Sequence, residues 1–585
     1  MMPAMFIRPC FRHKNGKRHA YWALVESVRT ERGPRQRVVA YVGGAPERRR
    51  RGVWRVAEGK PPAAQERLFE SPEARRIESN DAEWVEIDAK RVRVENARAF
   101  GGPWLALELA RQLGLDAFLK RALGAGREDV PWPLAALALV VARLCEPSSE
   151  LQIAERFYAA TALSDLLGVP AQKINDDRLY RALDALLPHK PALETFLKDR
   201  LGSLFSIEYD LLLYDVTSTY FEGQAPRNPK AQRGYSRDGR PDCKQVCIAL
   251  VVTKEGLPLG YEVFPGNRHD AKTVRRIVET MEARYGRADR VWVMDRGMAS
   301  PDTLAFLRDG RRYILGAPKA SLRRCERQLL AADWTRVREG LDVKLAPSPD
   351  GNETFILCRS RDRREKERAM RARFEERMTA GLRHIAQQCA KHRRAAERVR
   401  EQVARLRERN RRASRLFETT VDAGPDGRAV LTWRVNEDWR AWAELSEGCY
   451  LLRSNVANWT AEELWRAYIH LTDAEAAFRI QKSDLSIRPI WHQREDRVDA
   501  HILVCFLAFI LWKTLGQLVK GAGLGDEPRR VFQSLAEIRA VDVVLPTRQG
   551  PVIRKRCVTR PTDHQSILLS RLNLTLPTHL RQIEM

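Results

Sequence analysis

The chain has 585 residues, with 102 Lys and Arg against 76 Asp and Glu, a net charge of +26 and ten scattered cysteines. Such a length exceeds one ordinary core and predicts about three or four domains, while the basic excess points to a polyanion, most often nucleic acid, or to a protein kept soluble by its charge. Cysteines without a second close pair argue against structural zinc and for a reduced, intracellular setting; no signal-peptide pattern opens the chain, and the apolar runs at 130–142 and 502–512 are too short to span a bilayer, so they read as buried helices.

The first predicted unit, over 1–45, is a small β-meander. FIRPCFRH and HAYWALVESV flank Lys14-Asn15-Gly16-Lys17, and Asn-Gly is a strong hairpin signal. A second turn at Arg32-Gly33-Pro34 leads into RQRVVAYVG. Residues 46–100 read as a linker, rich at first in Arg, Pro, Ala and Glu. Over 101–205 the pattern turns helical, as in WLALELARQLGLDAFLKRAL. It suits a DNA-binding unit or a plain helical bundle.

From 208 the texture changes to strands. LLLYDV, KQVCIALVVT, a turn at Gly256-Leu257-Pro258 and LGYEVFPGN are followed by a helical stretch near 271–285 and then VWVMDRG. That order predicts a mixed α/β sheet. Residues 361–415 carry 20 Lys or Arg and eight Asp or Glu. Within them Met370, Phe374, Met378, Leu382, Ile385 and Cys389, then Val399, Val403 and Leu406, recur at helical spacing. The spacing predicts one or two long helices with a charged face that is either simply solvated or follows a phosphate backbone. FETTV, AVLTWRV and GCYLLRS are strand-like again, so the basic helices read as an insertion within the α/β domain.

The stretch LLLYDVTSTYFEG drives an apolar strand inward and ends it on Asp215. A carboxylate entering a region of low dielectric needs a partner, a proton or a cation, although a lone Asp also serves to cap a turn. Asp295 repeats the pattern after VWVM, and two such strands in one sheet bring both acids to the same edge. In YIHLTDAEAAFRIQK, read as one helix, Tyr468, Leu471, Glu475 and Lys482 share a face. That stripe is either chemically mixed for a reason or a core Leu flanked by solvated groups.

The stretches YDVTSTYF, VMDRG and YIHLTDAEAAFRIQKSDLSIRPIWHQREDRVDAHI resemble the DDE transposases of bacterial insertion sequences, in the IS-four superfamily. That group carries a Tyr-x2-Arg-x3-Glu-x6-Lys signature. Tyr468, Glu475 and Lys482 match it in register, while Leu471 stands in place of the Arg, whose DNA-end contact is then absent or supplied elsewhere, by Arg479 or Arg488. The likeness spans roughly 205–520.

The resemblance implies a ribonuclease-H-like catalytic domain in two parts, 206–320 and 448–520, separated by an insertion over 321–447 and followed by a C-terminal segment, 521–585. It carries over Asp215, Asp295 and Glu475 as the catalytic, metal-binding triad for two Mg²⁺ ions, with Mn²⁺ able to substitute. Tyr468 and Lys482 inherit contacts to phosphates near the cleaved end, with double-stranded DNA as the partner and a homodimer acting on paired ends in a bacterial cytoplasm, at the nucleoid. The implied activity is cleavage at terminal inverted repeats and joining of 3′-hydroxyl ends to target DNA. A non-catalytic DNA-binding derivative and a nuclease without strand transfer are the alternatives. Nothing carries over to His269, Asp270 or His492, and the chemistry needs no covalent nucleophile from Ser218 or Tyr220.

Overall fold

The computed structural model of the chain describes residues 85–580, apart from 125, 425, 426, 549 and 551, and the backbone of three strands between 5 and 43. These strands, β1 (Met5–Lys14), β2 (Lys17–Thr30) and β3 (Gly33–Gly43), form an antiparallel sheet in chain order. β1 and β2 pair outward from Lys14 and Lys17. Asn15 and Gly16, read as their turn, lie outside the described residues, as do residues 46–84 of the expected linker. Gly33 and Pro34, read as turn residues, instead begin β3, opposite Thr30 and Arg29. Proline lacks an N–H but is tolerated at the start of an edge strand.

After β4 (Arg93–Ala99) come the helices α1 (Gly101–Gln112), α2 (Leu115–Leu123), α3 (Trp132–Cys145), α4 (Asp176–Leu186) and α5 (Lys190–Phe205). α4 shows why: the Asn175 side chain accepts the Arg178 N–H at 2.8 Å, capping the first turn, while Leu179, Leu183 and Leu186 are buried along one stripe.

The next elements build the central sheet. β5 (Leu211–Tyr220), β6 (Gln245–Thr253) and β7 (Pro258–Pro265) form an antiparallel meander. α6 (Val274–Tyr285) then crosses to β8 (Val291–Met294), and α7 (Pro301–Arg308) to β9 (Arg312–Ala317). β8 runs parallel to β5, and β9 parallel to β8. The resulting order, β7-β6-β5-β8-β9, three antiparallel strands continued by two parallel ones, is the ribonuclease-H-like arrangement.

The sheet does not stop there. β10 (Thr335–Arg338), β11 (Leu341–Pro347) and β12 (Thr354–Ser360) extend it through β15 (Cys449–Ser454), which pairs with β9, giving nine strands. Between β12 and β15 lie α8 (Arg361–Lys391), α9 (Ala396–Arg409) and the hairpin of β13 (Phe417–Ala423) and β14 (Ala429–Val435). Met378, Leu382, Ile385, Cys389, Val399 and Val403 bury the expected stripe of the two helices against Leu416, Phe417, Ala429 and Leu431.

Side chains of the central strands alternate between two cores, because the strand period is two. Leu211, Leu213, Val291 and Val293 face one core; Leu212, Tyr214, Trp292 and Met294 face the other, lined by α6 and α7. The first core also receives α1 to α5 and four later helices, α10 (Ala461–Ile469), α11 (Leu471–Ser483), α12 (Glu495–Gly521) and α13 (Pro528–Ala536). α12 extends well beyond the apolar run seen in the sequence, and by length and composition it could cross a bilayer, yet 78% of its most apolar stretch is buried inside the protein. Finally, β16 (Arg539–Leu545) pairs with both β17 (Ile553–Val558) and β4, so residues 93–99, expected to be linker, are a strand tied to the C-terminal segment.

Candidate active site

The parallel β5–β8 ladder ends on the pair Tyr214 and Met294. The next residues are Asp215 and Asp295, on neighbouring strands whose backbones lie roughly 5 Å apart. Asp295 follows the end of β8, but Asp215, read as the tip of its strand, sits in the middle of β5, which runs on to Tyr220 paired with β6. Their odd positions put them on the same sheet face as Leu213 and Val293. α11 lies across that face, burying Leu471, Ala474, Ala477 and Phe478, and its Glu475 is exposed.

Glu475 and Asp295 both act on Asp215. Burial first, then the charges of these two carboxylates, push the Asp215 carboxyl up to about 7, against the Val216 N–H, which donates to Asp215 Oδ1 at 2.8 Å, and against the Arg237 charge. Acids from three elements thus lie near enough for the Glu475 and Asp295 charges to act on Asp215, although among the described residues only Glu150, His492 and His501 bring three potential ligand atoms within 4.8 Å of one another. Burial and the neighbouring Asp295 push the Tyr468 phenol up, so it stays protonated and donates to Asp295 Oδ1 at 3.4 Å.

The helix read across YIHLTDAEAAFRIQK is two helices. α10 ends at Ile469 and α11 starts at Leu471, with His470 closing one and opening the other. Tyr468 and Glu475 therefore reach the acids from different helices. Leu471, read either as part of a chemically mixed stripe or as a core residue flanked by solvated groups, is 8% exposed and belongs to the core.

Two residues of the β5–β6 loop went unread in the sequence. Arg237 donates to both oxygens of Asp270 at 2.5 and 2.6 Å, and its own N–H donates to Ser218 Oγ at 3.2 Å. Asp238 accepts from Lys482 Nζ at 2.8 Å and from Arg488. Burial, with Arg488 and Arg237 nearby, lowers the Lys482 ammonium despite Asp238. Arg479 is exposed on α11. The only local signal for the loop was its alternation of charge, Ser-Arg-Asp-Gly-Arg.

Glu150, His492 and His501 form a second, buried cluster whose potential ligand atoms all lie within 4.8 Å of one another. The Arg143 guanidinium stands 3.5 Å from His501 Nδ1, and His501 Nε2 meets the Ile487 carbonyl at 3.3 Å. Arg143 donates to the first nitrogen and the second donates to the carbonyl, so neither is free for a cation. Burial and the Arg143 charge hold His501 neutral. This cluster is a hydrogen-bonded network, with His492 against Glu150 at 3.3 Å.

A hard cation fits the first site better. Asp215, Asp295 and Glu475 offer only oxygen donors, the kind that a hard cation takes, and burial, with the Glu475 and Asp295 charges added to it, raises the Asp215 carboxyl. A search of curated proteins finds no match to the chain. The family described as the transposase DDE domain matches residues 207–511, more than half of the sequence and the whole of the sheet core with all three acids. The chain belongs to that family of transposases.

Proposed function

We propose that the protein cuts DNA at the inverted repeats bounding its own element and joins the freed 3′-hydroxyl ends to target DNA, using Asp215, Asp295 and Glu475 as the ligands of two divalent cations. The observation that supports this reading most is the placement of Asp215 and Asp295 just past the last pair of the β5–β8 ladder, with the Glu475 charge also acting on Asp215. When bound, Mg²⁺ or Mn²⁺ at such a site supplies charge stabilisation at the phosphorus centre and a nucleophilic oxygen at neutral pH. The protein's own groups do the rest. Asp215 on β5, Asp295 after β8 and Glu475 on α11 would hold the cations. The Tyr468 hydroxyl holds the Asp295 carboxylate in one orientation. Arg237, anchored on Asp270, keeps a positive charge beside the acids. Paired ends call for two copies of the chain acting together.

The test is an assay of purified protein on duplexes from the borders of its coding region. Asp215→Asn, Asp295→Asn and Glu475→Gln each abolish metal-dependent cleavage while DNA binding survives. Full cleavage by any one of them removes that residue from the triad. Cleavage without joined products would leave a nuclease of the same fold.

A further inference from the structure

Lys482 is the residue that the family signature assigns to a DNA phosphate, yet its ammonium is engaged inside the protein. It lies 2.8 Å from Asp238 Oδ1, with the Lys482 side chain 11% exposed and that of Asp238 2%. Arg488 meets the same oxygen through Nη1 and is 31% exposed. Asp238 Oδ2 is buried with no hydrogen-bond partner, so this carboxylate depends on its two cations for compensation.

The loop carrying Asp238 is fixed on both sides. Gln245 Nε2 donates to the Tyr235 carbonyl at 3.1 Å, Arg237 N–H to Ser218 Oγ at 3.2 Å, and the Arg240 N–H to Ser236 Oγ at 3.0 Å. A loop so held does not swing away to release Lys482. Two cations on one carboxylate leave one positive charge over, and the solvent-facing member of the pair is Arg488. A guanidinium that uses one edge on Asp238 keeps further N–H donors in a planar fork, which suits a phosphate. Arg237 links this group to the acids, since its charge acts on both Lys482 and Asp215.

Building on the transposase reading above, we propose that Lys482 is a positioning residue, the buried counter-ion of Asp238, and that Arg488 makes the phosphate contact beside the acids. Arg488 thereby takes over the DNA contact that Leu471 cannot make.

The experiment measures binding of the full-length protein, in chelator, to duplex DNA from the borders of its coding region over a salt series, beside thermal melts. Arg488→Gln weakens binding and reduces the slope of log affinity against log salt by about 0.9, one phosphate's worth, whereas Arg488→Lys keeps most of the slope. Lys482→Met lowers the melting temperature, and the Asp238→Asn/Lys482→Met pair regains it with the wild-type slope. If Arg488→Gln alone fails to fold, the Asp238→Asn/Arg488→Gln pair removes the stranded charge and reads the same slope. A slope lost in the Asp238→Asn/Lys482→Met pair and kept without Arg488 makes Lys482 the contact and overturns the proposal, as does a slope that no variant changes. Metal-dependent cleavage by the wild-type protein is scored separately: its absence sinks the transposase reading, while the slopes still decide between Arg488 and Lys482.

Discussion

Asp215 and Asp295 stand side by side because each is the first residue beyond the last pair of the parallel β5–β8 ladder, Tyr214 and Met294. Burying the Asp215 carboxyl, with two like charges beside it, has a cost that a bound cation would offset. With Asp215 held up at about 7, the folded, metal-stripped protein retains a proton that the unfolded chain releases near pH 4. The cost is absent below about pH 4, grows as pH rises, and is complete above about pH 7.

Asp215→Asn removes that cost. In chelator at about pH 8 the variant is more stable than wild type by about 1–3 kcal/mol, and the gain vanishes near pH 4. Denaturation curves at the two pH values check it. An equal gain at both would mean that packing, not charge, is responsible.

Leu471→Arg tests the departure from the family signature. The side chain is 8% exposed and packs with Ala474 and Phe478 in the main core. Burying an unpartnered guanidinium there costs about 3 kcal/mol or more. Restoring the family's Arg at this position therefore lowers the melting temperature and does not restore a DNA contact. An unchanged melt would place residue 471 at the surface.

The neighbouring positions of Asp215 and Asp295 were legible because their signal is local: an apolar run, then a carboxylate, with the period of two fixing the face. The stripe of α8 and α9 was legible for the same reason. That β5 runs on through Asp215 to Tyr220 was not, since the hydroxyl-rich VTSTY reads as a turn until β6 pairs with it. The break at His470 was hidden too, since helical periodicity runs on through IHLTDAE, and only the fold shows Leu471 going to the core while Tyr468 turns to Asp295. Asp238 lay further out of reach, because its partners Lys482 and Arg488 are 244 and 250 residues away in sequence. Nor does any local pattern join β4 to β16, or carry β10 to β12 through β15 onto the edge of the ribonuclease-H-like sheet.

Gly266→Ala tests how firmly the β5–β6 loop must be held. A Cβ there would lie 2.0 Å from the Gln245 carbonyl oxygen and 2.5 Å from that of Gln232, two backbone groups that cannot rotate away. Gln232 and Gln245 exchange backbone hydrogen bonds at 3.1 and 3.0 Å, closing the loop that carries Arg237 and Asp238. The substitution costs about 1–3 kcal/mol and weakens cleavage more than overall DNA binding. Chemical denaturation and parallel binding and cleavage assays check it; intact cleavage with full stability would show that the loop closes without this contact.

His492→Phe examines the buried network that joins residues ahead of the sheet to α12. Burial alone would raise the Glu150 carboxyl, but His492, first through its hydrogen bond, outweighs it and holds the group down at about 2. A depressed carboxyl contributes stability above its unfolded value, about 4.5, and loses it as pH falls towards about 2. Removing His492 strands the 4%-exposed Glu150 and costs about 3–5 kcal/mol at neutral pH; Glu150→Gln in the same protein recovers much of the loss. Between about pH 5 and pH 3 the wild type sheds stability faster than the Glu150→Gln/His492→Phe pair. Chelator leaves both melts unchanged, because Arg143 and the Ile487 carbonyl already engage His501; a chelator-induced drop in the wild type alone would turn the cluster into a structural metal site.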